Sequence, residues 1–272
     1  LALITSFKGT FVVRLAFIIT AVFYGISAIP AFLKVKEKAQ PQTLPVKETY
    51  FTIPFRRLVE TVRTGRNYKE FVRFLIAFLI YNDGIMMLMD FAAIIGGTLF
   101  GLEQVQLILF VIVIHITGAV GALLFGRLSD KRSSKQAIII SLIILSLDIT
   151  ALFFIHTVVL FYVVGAIAGF SLSGAQAVSR TMVSQLAPSQ KTTEFYGFLS
   201  IAGRTSTFVG PLVFGTLSYR GHAYYLAHGL AGLAAEQAGL YWAIGSILVF
   251  LVVGLVVFLG VRKVTVQDPM VY

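Results

Sequence analysis

Long apolar runs separated by short polar stretches make up most of the chain. Seven of these runs approach or exceed the ~20 residues that an α-helix needs to cross a bilayer. Most are apolar on every side, whereas a helix of a soluble protein keeps one polar face. The pattern therefore predicts an all-α integral membrane protein with seven spanning segments. The predicted segments are residues 11–33, 71–98, 105–125, 137–155, 158–178, 195–217 and 238–260.

The composition agrees with a membrane protein and excludes several kinds of site. Of the 272 residues, 57% are hydrophobic and 12% are charged, and a soluble domain has roughly twice that charged fraction. The chain has no cysteine, which excludes disulfides, thiolate catalysis and cysteine metal sites. It contains no H-E-x-x-H motif, no phosphate-binding P-loop and no G-x-S-x-G motif. We therefore expect no enzyme activity, no metal and no cofactor.

The cations predict a topology rather than nucleic-acid binding. The net charge of +10 comes mainly from basic residues that follow the first, third, fifth and seventh segments. The intervening turns carry almost none, and the one near Gly221 carries only Arg220. Basic loops stay in the cytoplasm. The pattern places the N-terminus of this chain outside and its C-terminus inside.

Residues 34–70 form the one sizeable polar loop between the predicted spans. Apolar residues recur at helical spacing from Phe55 to Val62, with arginines between them, which favours a short amphipathic helix on the inner membrane surface. The alternative is a loop without stable structure. The chain begins at Leu1 with neither an initiator Met nor a signal peptide, so we expect a fragment, or a mature or truncated product.

Asp83 is the most informative polar residue because it lies inside an apolar run. It follows Phe71 by twelve positions, which places it ~18 Å into the membrane. An ionisable residue at that depth is costly and indicates a functional site. Asp90 lies two turns further on and shares a helix face with Asp83. We expect a protonatable carboxylate that couples proton movement to conformational change, and the alternative is a structural acid paired with Arg204.

Three other ionisable residues are predicted near mid-membrane. Arg204 lies ~14 Å from the same side, and its planar guanidinium suits a carboxylate-bearing substrate or the charge of Asp83. The alternative for Arg204 is a purely structural pair. His115 can change its charge near neutral pH, but a lone histidine in a helix is often a packing residue. Asp148 has no cation near it along its own helix, and the sequence does not explain it.

The stretch at residues 126–135 is the most specific motif in the chain. Gly126 is followed four residues later by Asp130 and then by Lys131 and Arg132. This order resembles the loop motif of the major facilitator superfamily, although Ser133 stands where that family often has glycine. The resemblance implies that Asp130 caps a helix start and, with its basic neighbours, holds a cytoplasmic gate. The alternative is an ordinary charged turn.

A closer resemblance comes from three places together. Residues 81–84 read Tyr-Asn-Asp-Gly, and residues 174–180 read Gly-Ala-Gln-Ala-Val-Ser-Arg. The third place joins residues 194–197, 203–204 and 210–211. Together they resemble the vacuole-effluxer branch of the superfamily, which is related to the autophagy-linked amino-acid exporters of fungal vacuoles and is abundant in bacteria. The resemblance covers nearly the whole chain.

The resemblance implies a domain organisation. The chain would be a major facilitator-type six-helix bundle preceded by one extra transmembrane helix and a cytoplasmic loop. Its regions would be the sixth span of twelve (1–33), the basic central loop (34–70), the C-terminal bundle (71–261) and a cytoplasmic tail (262–272). The N-terminal half of the transporter would then be absent from this chain. We expect a bacterial inner or plasma membrane location, or a vacuolar membrane if the protein is eukaryotic.

The resemblance also implies a function and a site. In that fold the seventh and tenth spans line the central cavity, which favours Asn82, Asp83 and Gln176 as site residues, with Arg204 beside them. We expect a secondary transporter of small solutes, in the first place amino acids, that works by alternating access within the lipid bilayer. The alternatives are a drug–proton exporter of the same superfamily, with a large aromatic pocket, and a non-transporting sensor or partner module.

Overall fold

The computed structural model describes residues 9–34, 68–188, 191–230 and 232–262. Within these ranges the regular structure is α-helix, with no strand. The chain divides into two compact units, Leu1–Ile53 and Pro54–Tyr272. The described helix of the first unit is α1 (Gly9–Lys34). The helices of the second unit are α2 (Lys69–Phe100), α3 (Gln104–Lys131), α4 (Ser134–Leu152), α5 (Val158–Leu186), α6 (Thr192–Ala227) and α7 (Leu233–Leu259).

Each predicted span overlaps one of these helices, but α6 differs from the others. By length and composition, α1, α2, α3, α4, α5 and α7 are apolar enough to cross a membrane among the described residues. Helix α6 is long enough, with 36 residues, but Arg204, Thr205 and Thr207 interrupt its apolar sequence. Its predicted span is therefore less uniformly apolar than the others, and α6 is not among the six helices apolar enough to cross a membrane. The predicted amphipathic helix at residues 55–62 lies outside the described residues.

The helix ends follow from local sequence. Helix α2 ends where Gly101 adopts a positive φ of 65°, and the next amide, that of Leu102, donates to Gly96 O at 3.2 Å. Glycine reaches this left-handed conformation without steric cost. Helix α3 begins with a capping box between Glu103 and Gln106. Helix α5 starts at Thr157, whose hydroxyl accepts from Leu160 N.

The second unit is held together by a continuous apolar core. Helix α5 packs along α3 and α4, and α7 packs along α2 and α6. Large aromatic side chains fill the interior, including Phe74, Phe195, Phe214 and Phe258, all fully buried. Glycines permit the closest helix approach: a Cβ at Gly121 would overlap the backbone carbonyl of Phe170. Helices α3 and α5 therefore meet backbone to backbone, as small residues allow in membranes.

The ends of α2, α4 and α7 on one side of the unit are joined by polar contacts. Glu70 accepts from Arg262 N at 2.7 Å and also pairs with Arg73 at 2.8 Å. Lys135 donates to the carbonyls of Leu259 and Val261, the first at 2.8 Å. A cation at these free carbonyls complements the C-terminal end of the α7 dipole.

Candidate functional site

A polar cavity of about 320 Å³ lies between α2, α5 and α6. Helix α2 contributes Asn82, α5 contributes Gln176 and Arg180, and α6 contributes Ser200 and Arg204. Three of these residues, Asn82, Gln176 and Arg204, were predicted from sequence as substrate contacts. The structure therefore brings together residues that are up to 122 positions apart in the chain.

Most polar groups at this cavity are hydrogen-bond donors. The Nδ2 of Asn82 is buried without a hydrogen-bond partner, and both guanidinium side chains, on Arg180 and Arg204, are exposed. Gln176 Nε2 donates to the sulfur of Met89 at 3.7 Å, and no acidic residue is among the lining residues. A buried unpaired donor is costly unless a ligand or water accepts from it. The cavity therefore favours a solute with a carboxylate or another anionic acceptor.

Arg180 was missed as a site residue by sequence reasoning. It was counted among the loop cations that set the topology, but it lies inside α5, which continues to Leu186. Its backbone carbonyl accepts from the hydroxyl of Tyr196 on α6 at 2.9 Å. The signal that could have placed it was the absence of a helix breaker before Pro188.

Asp83 is adjacent in sequence to Asn82 but lies in a different environment. It is buried, 1% exposed, and its Oδ1 has no hydrogen-bond partner. The Ser206 side chain interacts with it, and a Cβ at Gly210 would lie 3.1 Å from the Asp83 carbonyl oxygen. Asp83 thus faces the contact between α2 and α6 rather than the cavity. The Asp83–Arg204 ion pair, which was the structural alternative, is absent from the described residues, and Arg204 lines the cavity instead.

Asp90 and His115 do not join this site. Asp90 was predicted to share a sheltered face with Asp83, but it is exposed. In the described part of the chain, neighbouring helices cover that face at Asp83 and not at Asp90. His115 lies in a second pocket between α2, α3, α4 and α5, together with Asp148. Sequence reasoning named His115 and left Asp148 unexplained, and did not predict that both line one pocket.

The predicted gating motif has a different local structure from the one expected. Asp130 lies within the last turn of α3 and does not cap the next helix. The N-cap of α4 is Ser133, whose hydroxyl accepts from Gln136 N at 3.2 Å. Asp130, Lys131 and Arg132 are exposed, and none of them forms an ion pair within the described ranges. Ser133 caps α4 because its short side chain reaches the free amides of the first turn.

The polar contacts at this end come instead from serines. Ser129 on α3 and Ser134 on α4 hydrogen-bond to each other at 2.8 Å, and Ser134 also donates to Gln185 on α5 at 2.8 Å. Both serines are buried. Gly126 has no atom within 4 Å of a Cβ built on it, so close packing does not require glycine there.

The family model described as "Vacuole effluxer Atg22 like" matches residues 2–231. The chain belongs to this family. It is 25% identical over 256 residues to the "Uncharacterized MFS-type transporter YxiO" of Bacillus subtilis (strain 168), covering 94% of this chain and 55% of that protein. It is 26% identical over 255 residues to "Autophagy-related protein 22" of Yarrowia lipolytica, covering 82% of this chain and 43% of the relative.

The fold is also found in a solved structure. The protein in that structure is a bacterial homologue of the human lysosomal transporter Spinster, in an inward-facing and unoccupied conformation. The TM-score is 0.60 at 17% identity, and the match covers 90% of this chain and 58% of that one. The chain is thus a helical, multi-pass membrane protein with a major facilitator-type fold. It spans about half the length of the curated relatives it matches.

Proposed function

We propose that this chain forms part of a secondary transporter that moves small carboxylate-bearing solutes, in the first place amino acids, by alternating access. The observation that carries the proposal is the cavity between α2, α5 and α6, which is lined by Asn82, Arg180 and Arg204. These groups can donate to both carboxylate oxygens of a solute. The family membership supports transport.

Each residue of the site has a separate role in this proposal. Arg204 offers a planar fork for the carboxylate, and Arg180 adds a second positive charge closer to the end of α5. Asn82 and Gln176 provide hydrogen bonds that fix the orientation of the solute. Asp83 does not contact the solute, and it takes up and releases a proton at the contact between α2 and α6. The two helices must move relative to each other at this contact when the cavity opens and closes.

The proposal includes a second bundle outside this chain. The relatives are about twice as long as the matched region, and α3 exposes many apolar side chains, including Ile108, Ile112 and Ile116. In an 18-residue apolar stretch of α3, 17% of the residues are buried. We propose that an N-terminal bundle of the full-length protein covers part of this surface and supplies the other wall of the cavity.

The proposed topology places the end of α3 and the start of α4 in the cytoplasm. The basic residues of this turn, including Lys131, Arg132 and Lys135, then follow the positive-inside rule. The N-terminus of the chain lies outside and its C-terminus inside. The host membrane is the bacterial plasma membrane, or a vacuolar membrane in a eukaryotic cell. The exposed Asp130 and Arg132 are placed to pair with the second bundle when the cytoplasmic side closes.

The structure favours this function over a drug–proton exporter. Such an exporter needs a large aromatic pocket for apolar cations. Among the described residues that line the cavity, Phe78 is the one aromatic side chain, and the charged ones are both basic. An apolar cation would therefore meet two positive charges and little aromatic surface.

Uptake into proteoliposomes that contain the full-length protein tests this proposal. Radiolabelled amino acids are compared in wild type, Arg204→Gln and Arg220→Gln. Loss of a charged hydrogen bond costs about 1.5–3 kcal/mol, so we expect Arg204→Gln to raise KM roughly 10- to 100-fold. Arg220 is exposed on the same helix and lines neither described cavity, so its variant should keep the wild-type KM. Transport with an unchanged KM in Arg204→Gln would reject the assignment.

A further inference from the structure

A second pocket, separate from the cavity described above, combines apolar walls with two polar groups. It has a volume of about 140 Å³ and lies between α2, α3, α4 and α5. Aromatic and aliphatic side chains form most of its wall, among them Phe110 and Phe161. The titratable side chains among its lining residues are His115 and Asp148. The family membership and the proposed transport function assign no role to this pocket.

The carboxyl group of Asp148 is an unsatisfied acceptor in this pocket. The side chain is 5% exposed, and its Oδ2 has no hydrogen-bond partner. No lysine, arginine or histidine lies within ion-pair distance of it in the described part of the chain. Burying a carboxyl group this way is costly unless a donor or a cation reaches it. The site is therefore incomplete without a ligand that donates hydrogen bonds.

His115, an exposed residue that lines the same pocket, carries a second acceptor. Its Nδ1 lies 2.8 Å from the backbone carbonyl of Val111. A carbonyl oxygen can only accept, so Nδ1 carries the proton and donates it. In the neutral ring the other nitrogen, Nε2, is then an acceptor. The pocket thus offers two groups that can accept hydrogen bonds, a carboxyl group and an imidazole nitrogen, within otherwise apolar walls.

The two acceptors define the chemistry of the ligand. A metal ion is disfavoured, because the described residues contain no group of three or more His, Asp or Glu side chains that could hold one. An anion would find no lysine or arginine among the residues that line the pocket. A protonated primary amine has three N–H donors and a positive charge, and an apolar body would fill the remaining volume. We propose that this pocket binds a compact apolar amine, with its ammonium group donating to Asp148 and to His115 Nε2.

One contact between side chains connects this pocket with the polar cavity. Met89 lines the second pocket, and its sulfur accepts from Gln176 Nε2 at 3.7 Å. Gln176 lines the polar cavity between α2, α5 and α6. Movement of Met89 by a bound amine would therefore change the position of a solute-facing amide.

Binding of protonated cyclohexylamine to the full-length protein in detergent micelles tests the proposal. Isothermal titration calorimetry and saturation-transfer NMR are recorded for wild type, Asp148→Asn, His115→Leu and Asp90→Asn. We expect at least tenfold weaker binding in Asp148→Asn and a several-fold loss in His115→Leu. Asp90→Asn is the matched control, since Asp90 is an exposed acid on α2 that lines neither pocket, and it should bind as wild type does.

Two further ligands separate charge from hydrogen bonding. Cyclohexanol has the same apolar body without the charge, and the N,N,N-trimethylcyclohexylammonium ion keeps the charge but has no N–H donor. Both should bind at least tenfold more weakly than cyclohexylamine. Equal affinity of wild type and Asp148→Asn for cyclohexylamine, or equal affinity of wild type for the amine and either analogue, would overturn the proposal. Thermal unfolding of each variant shows whether it is folded, and His115→Leu provides an independent variant if Asp148→Asn is not.

Discussion

Asp83 is a buried acid whose Oδ1 has no partner, at the contact between two helices of the candidate site. We expect Asp83→Asn to lose proton-driven accumulation of solute while it keeps exchange of solute down its gradient. The reason is that an amide cannot take up and release a proton but preserves the shape of the side chain. Proteoliposomes with an imposed pH gradient measure the first activity, and counterflow measures the second. Asp90→Asn is the control and should retain both.

Accumulation driven by a pH gradient in Asp83→Asn at the wild-type level would contradict this role. Loss of both activities in a folded variant would also contradict it, because that result would place Asp83 in solute binding. The structure predicts neither result, since Asp83 is 1% exposed and does not line the cavity.

Individual residues of the site could be predicted where only membrane depth mattered. Arg204 was found because a charged residue in an apolar run is unusual, whatever packs around it, whereas Asn82 and Gln176 were found through the family resemblance. The environments of Asp83 and Asp90 could not be predicted, since seven-residue spacing gives a shared face but does not say which part of it a neighbouring helix covers. The placement of His115 and Asp148 at one pocket depends on how α3 and α4 pack, which no pattern along one helix contains.

The close approach of α3 and α5 at Gly121 can be tested directly by substitution. A Cβ at Gly121 would overlap the backbone of Phe170, and backbone cannot move aside as a side chain does. We expect Gly121→Ala to lower the thermal unfolding temperature in detergent, because overpacking costs about 1–3 kcal/mol. Gly126→Ala on the same helix is the control, since no atom lies within 4 Å of a Cβ built there.

The control should match or slightly exceed the wild-type unfolding temperature, because alanine favours a helix more than glycine does. Equal unfolding temperatures for Gly121→Ala and Gly126→Ala would show that α3 and α5 are not in backbone contact at this position.

The polar residues of α6 are explained by its position at the cavity. Uniformly apolar helices such as α7 pack and face lipid, whereas α6 carries Ser200 and Arg204 to a cavity wall. Its overall hydropathy is lower for that reason, and it alone among α2–α7 falls short of the composition typical of a membrane span. Helix existence was predictable from the apolar runs. The extension of α5 to Leu186, which brings Arg180 into the site, was not, because charged residues near a span end were interpreted as loop.

At the scale of the whole molecule, we propose that the site is one wall of a larger cavity. The chain spans 55% of its relative in Bacillus subtilis, and its fold matches 58% of a longer solved transporter. Alternating access requires two bundles that rock about a central site. Solute bound between α2, α5 and α6 should therefore shield the residues that line this cavity from the aqueous phase.

Protection of an introduced cysteine by solute tests this requirement most directly. This chain has no cysteine, so a single cysteine can be introduced into full-length protein cleared of other cysteines. One variant is Ser200→Cys, at the cavity, and the other is Thr216→Cys, at an exposed position on the same helix. Each is labelled by a water-soluble maleimide. We predict that a transported amino acid slows labelling at position 200 several-fold and leaves position 216 unchanged. An unchanged labelling rate at position 200 with saturating solute would contradict the account.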